Sequence, residues 1–156
     1  MQSPVSLSAV LTTPGHLISL AARVFARLSE ARLKPLGFGV GHLPVLVALE
    51  DGLAASQREL ARFARIEQPS MAQMLTRMER DGLISRSAHP TDGRSSQITL
   101  TEAARARLPA ACEVLLEGNR AALDGFSAQE AAQLGALLGR LIANLDRVTG
   151  GATPPG

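Results

Sequence analysis

Apolar and polar positions recur along this chain with two different periods, and the change between them marks its organisation. From Pro14 to Leu33, Leu17, Leu20, Ala21, Val24, Leu28 and Ala31 return every three or four residues, the stripe of an amphipathic helix. "KPLGFGVG" interrupts that stripe, because Pro35 and three glycines disfavour helix. "HLPVLVALED" predicts a second helix over His42–Asp51, with Pro44 in its first turn and Gly52 just beyond its end. In "ASQRELARFAR", Ser56 and Glu59 stand at capping-box spacing, and Leu60, Ala61 and Ala64 make a short apolar face. A further helix starts at Pro69 in "PSMAQMLTRMERDG". Met71, Met74, Leu75 and Met78 share one stripe there, and Gly82 closes it.

The period then drops to two. "LISRSAH" and "SSQITL" predict two short strands around a polar turn shaped by Pro90 and Gly93 and steadied by Asp92. Thr101 is placed to cap a long helix from Glu102, with Leu108, Ala111, Cys112, Leu115 and Leu116 on its apolar side. Pro109 lies inside that helix and is expected to kink or split it. Ser127 and Glu130 repeat the capping box. Leu134, Leu137, Leu138, Leu141, Ile142, Leu145 and Val148 follow as one stripe over about four turns. The expected class is mainly α with a small β-hairpin.

Composition narrows the function. At 156 residues the chain is one domain or one domain with an appendage. Aromatics are only 3%, with no Trp or Tyr, which argues against base stacking on an aromatic sheet. The net charge is +2 and Lys34 is the one lysine, so any nucleic-acid binding must come from local placement of arginines. A single Cys excludes an internal disulfide and fits a reducing compartment. No apolar run approaches the ~20 residues that span a bilayer, and the N-terminus lacks a signal-peptide pattern, so no membrane association and a cytoplasmic location are expected.

Catalytic motifs are absent. There is no GxSxG elbow, no HExxH and no P-loop, and "GFGVG" lacks the spacing and preceding strand of a dinucleotide loop. His89 and Asp92 lie near serines on the polar turn, with no oriented base. Three dispersed histidines and Cys112 show no metal-ligand spacing. Neither an enzyme nor a metal or cofactor is expected.

The residues that carry chemistry lie in the middle. If the methionine stripe of the Pro69–Arg80 helix faces inward, Ser70, Gln73, Arg77 and Arg80 face outward together. Arg reads guanine, Gln reads adenine, and Ser adapts to either, while the helix N-terminus favours a phosphate. A short helix, a tight turn and such a second helix follow the helix-turn-helix plan. Ordinary solvated charges would also satisfy this helix taken alone. The hairpin shifts the balance, because Arg86 before the turn and Arg94 after it set two cations on a loop suited to a narrow minor groove.

"RELARFARIEQPSMAQMLTRMERDGLISRSAHPTDGRSSQITLT" resembles the core of the MarR (multiple antibiotic resistance regulator) family of winged-helix transcription factors. The likeness rests on the order and spacing of "ELA", "RMERDGLI" and "DGR" followed by "LT". It implies a winged helix-turn-helix lobe over 36–100 and double-stranded palindromic DNA as partner. It also implies a homodimer built from an arm and helix over 1–35 and from helices over 101–148, with a disordered tail over 149–156. The stripes of the end helices support a dimer independently, since they exceed what one thin lobe can cover; packing on each other within the chain is the alternative. DNA contacts implied by the resemblance fall on Pro69, Ser70, Gln73 and Arg77, with Gln68 nearby and Arg94 in the minor groove. Gly93 stands where many members carry a second wing arginine.

The resemblance further implies a repressor relieved by a small aromatic or amphipathic ligand. His16, Arg23 and His42 are the candidate liners, each with an ordinary surface or helix-end role as the alternative. Cys112 lies outside the region where peroxide-sensing relatives carry their cysteine, and reads as a packed thiol. The competing function is a winged-helix protein-interaction module without DNA binding. The outward row on the Pro69 helix together with Arg94 argues against it.

Overall fold

The computed structural model describes residues 7–91, 93–94 and 96–150. Asp92, proposed to steady the turn, lies outside them, as do the first six residues and most of the tail. Six helices and one hairpin follow the predicted order. α1 spans Pro14–Leu33, α2 Leu43–Glu50, α3 Gln57–Ala64, α4 Gln68–Arg80, α5 Glu102–Ala122 and α6 Ala128–Thr149. β1 (Ile84–Ala88) pairs antiparallel with β2 (Ser96–Leu100), Ile84 opposite Leu100 and Arg86 opposite Ile98. A 3-10 turn at Leu7–Thr12 precedes α1, and two more, Lys34–Leu36 and Val40–His42, fill the glycine-rich break.

Short polar side chains set the helix starts. Ser56 Oγ accepts the Glu59 N–H, while the Glu59 carboxylate accepts the Ala55 and Ser56 N–H groups at 2.9 and 3.0 Å. These bonds hold the Glu59 carboxyl below the usual carboxylate range. Ser127 and Glu130 close the same box at α6. Thr101 Oγ1 accepts the Ala104 N–H and donates to the Gly82 carbonyl at 2.7 Å, so one hydroxyl joins β2, α5 and the end of α4. Of the kink or split expected at Pro109, the split does not occur: α5 is one helix through the proline. Leu108 and Ala111, on either side of it, are buried in the core.

The core belongs to the middle of the chain. Leu43, Leu46, Leu60, Met71, Leu75, Met78, Leu83 and Ile98 pack with Leu33, Phe38 and Ala111 in one cluster. The glycine-rich break is pinned to it from α5. Arg107 donates to the Leu36 carbonyl at 2.9 Å and sits over the Phe38 ring, 5.5 Å from its centre. α1 and α5 approach closely where Gly118 faces Leu28 and the buried Ser29.

The end helices are different. α6 buries none of its residues, and α1 buries only Ser29 and Leu33. Leu17 and Leu20 of α1, and Leu134, Leu137, Ile142 and Leu145 of α6, are all at least 40% exposed. Their apolar stripes therefore do not cover each other within the chain. An ion pair between Arg65 and Asp146 (2.7 Å) ties the far end of α6 to the turn between α3 and α4. No helix among the described residues is long and apolar enough to cross a membrane.

Candidate nucleic-acid interface

α4 is amphipathic in the expected sense. Met71, Leu75 and Met78 are buried, while Gln68, Pro69, Ser70, Gln73, Arg77 and Arg80 are exposed. Pro69 sits in the first turn, where its missing N–H costs nothing. The helix has no side-chain cap at its N-terminus, so its first N–H groups stay open to an acceptor such as a phosphate oxygen. Gln73 and Arg77 line a shallow outer recess with Ala72 and Thr76.

The wing stands beside this helix. Ser85 and Thr99 bond across its outer face at 3.0 Å, and Ile98 and Leu100 anchor its inner face. The Ile98 N–H also bonds the Ala55 carbonyl at 2.8 Å, fixing the wing to the start of α3. Between α3, the start of α4 and the wing runs a groove of about 540 Å³, lined by Gln57, Arg58, Gln68, Arg86, His89 and Arg94 among others. The structure thus brings Gln68 of α4 together with both wing arginines. Gln57 and Arg58 were not singled out in the sequence; the signal was their position directly after the Ser56 cap, at the open end of the first motif helix. Gln57 Nε2 reaches Gln68 Oε1 at 3.4 Å, linking the two helix starts.

Arg94 and Arg86 are not equivalent. Arg94 is exposed near the wing tip. Arg86 shares the inner face with Ile84, and its half-buried side chain lies against Glu79 of α4 at 3.2 Å. The Arg86 Nε is buried without an aligned hydrogen bond, so this contact is a charge pairing more than a directed bond.

The three candidate ligand residues do not converge within one chain. His16 is half-buried in the first turn of α1, and Arg23 is exposed two turns on. His42 lies near Glu30, fourteen residues beyond His16 on α1, or about 20 Å along the helix. Its Nδ1 accepts the Gly39 N–H at 3.1 Å. Burial pushes the His42 pKa down, with Asp81 and Glu30 opposing and Arg77 adding to the shift.

This arrangement has counterparts of known structure. The MarR family model matches residues 41–96, from the end of the glycine-rich break to the second strand of the wing. A probable transcriptional regulator from Pseudomonas aeruginosa is 31% identical, with 85% of this chain and 98% of that one covered and a TM-score of 0.75.

The chain belongs to the MarR family.

As a MarR-family chain it is a transcriptional regulator with a winged helix-turn-helix lobe. Two further structures share its fold. The transcriptional regulator SlyA superposes with a TM-score of 0.81 at 24% identity, covering 87% of this chain and 96% of that one. A mutant of E. coli MarR complexed with operator DNA gives 0.78 at 22% identity, with 87% and 98% covered. The likeness to SlyA and MarR extends beyond the lobe to the end helices, which the family model leaves unmatched.

Proposed function

We propose that this MarR-family protein is a homodimeric repressor that binds a palindromic DNA site and is released by a small aromatic or amphipathic ligand. The observation that carries the DNA reading is the exposed row Gln68, Pro69, Ser70, Gln73 and Arg77 beside a wing bearing Arg94. Ser70, Gln73 and Arg77 would meet base edges in the major groove, and Arg94 would enter the minor groove. Arg86 would support the wing from inside, through Glu79. The operator complex of the E. coli MarR mutant supports DNA as the partner of this fold.

Dimerisation is supported by the uncovered faces of α1 and α6, which a second copy of the chain would bury. Two lobes would then read half-sites about one helical turn, ~10–11 bp, apart. A ligand would lie against α1, where His16 and Arg23 share a face with Leu20.

A gel shift on the DNA flanking the protein's own gene tests this reading. A shift that weakens steeply with salt is expected, because phosphate contacts release counterions. Arg94→Ala should weaken binding to all sequences, whereas Gln73→Ala or Arg77→Ala should cost roughly 1–3 kcal/mol at particular bases. Absence of a shift at low salt would favour the protein-interaction alternative.

A further inference from the structure

Gln57 opens α3 and Gln68 opens α4, and their side-chain amides meet in the groove beside the wing, where Gln57 Nε2 donates to Gln68 Oε1 at 3.4 Å. Gln57 is half-buried and Gln68 is exposed. The backbone behind Gln57 is fixed twice. Ser56 and Glu59 close their capping box on the residue before it, and the Ile98 N–H of β2 bonds the Ala55 carbonyl one residue further back at 2.8 Å. The Gln57 amide is therefore held against both α3 and the wing. A planar carboxamide carries its acceptor on one side and its donors on the other. With Oε1 turned to Gln57, the Gln68 side chain keeps its NH2 group for an outside partner. Arg58, Arg86 and Arg94 line the same groove, so the amide pair sits among cations suited to a nucleic-acid backbone.

We infer that Gln57 is a positioning residue: it decides which end of the Gln68 amide faces DNA, and so which bases are accepted there. This inference rests on the regulator reading above. A freely turning glutamine favours adenine, by accepting from N6 and donating to N7. The Gln57 contact turns the acceptor away and leaves Gln68 as a donor. In the major groove a donor is matched by the keto oxygens, O6 of guanine and O4 of thymine, and opposed by the amino groups of adenine and cytosine. The start of α4 therefore selects a keto base on the strand it contacts.

The test is selection from duplexes with randomised half-sites, using the full chain and three variants, with the bound sequences counted. The unaltered protein should enrich guanine or thymine at one position of each half-site, roughly three- to tenfold over adenine and cytosine, the worth of one hydrogen bond. Gln57→Glu exchanges the donor for acceptors, so the Gln68 NH2 turns to the new carboxylate and Oε1 faces outward. The preference at that position should pass to adenine or cytosine, with the other positions unchanged. An acidic side chain suits the first turn of a helix, so the start of α3 is retained. Gln57→Ala releases the amide and should erase the keto preference, as Gln68→Ala should. An unshifted base in both Gln57 variants would overturn the inference. So would a loss of preference spread over every position, which is what a purely structural role produces. Weaker binding by Gln68→Ala with its base preference intact would make Gln68 a phosphate contact and would also overturn it. Enrichment of no sequence by the unaltered protein would bring down the regulator reading and this inference with it, whereas enrichment without the exchange of bases defeats the inference alone.

Discussion

Arg86 on the first strand of the wing lies 3.2 Å from Glu79 on α4, so the wing is tied to that helix from its inner face. Arg86→Ala should lower stability by roughly 0.5–1 kcal/mol, as for partly exposed ion pairs. Arg94→Ala should weaken DNA binding more than Arg86→Ala does. Thermal melts beside fluorescence anisotropy on labelled DNA measure both effects. Equal loss of DNA affinity in both variants would contradict the distinction.

Gly37 holds a left-handed backbone (φ 81°), and a Cβ there would come within 2.7 Å of the Arg107 guanidinium. Gly37→Ala therefore strains the turn and displaces the bond from Arg107 to Leu36. A loss of about 1–2 kcal/mol in urea unfolding is expected, beyond the cost of the backbone alone.

The uncovered face of α6 makes assembly testable. Leu137 is 49% exposed and Leu134 40% in the single chain. Burying the remaining exposed part of each such side chain gains roughly 1 kcal/mol. The double variant Leu134→Glu, Leu137→Glu should shift the mass seen by light scattering from dimer to monomer, while an unaltered protein that is monomeric at micromolar concentration would refute the dimer.

His42 predicts a pH dependence. Its folded pKa lies below the unfolded value, so the folded chain binds fewer protons. Its contribution is intact above the ordinary histidine range near 6.5 and declines as pH falls from there through the lowered value. Protonation also removes the Nδ1 acceptor from the Gly39 N–H. Melting temperatures between pH 7.5 and 5 should fall less for His42→Gln than for the unaltered protein.

Local pattern carried much of this architecture. Ser56, Thr101 and Ser127 were readable as caps because their oxygens act within three residues. The outward row on α4 followed from the spacing of its methionines. The alternation that turns Ile84 inward also turns Arg86 inward, so its separation from Arg94 was present in the two-residue period. The unbroken course of α5 was not, because it depends on core contacts made by Leu108 and Ala111. Nor were the clamp from Arg107 to Leu36 and the pairing of Arg65 with Asp146. Both join positions far apart in the chain, and no periodicity links them.

The Thr101 hydroxyl has a mechanical consequence. Because one oxygen serves both the first turn of α5 and the glycine turn that follows α4, it couples the start of the long helix to the exit of α4. In the proposed dimer through α1 and α6, any tilt of α5 would therefore be passed to the winged lobe at this single oxygen. The angular spacing of the half-sites that the protein accepts on DNA would then depend on how α5 is held.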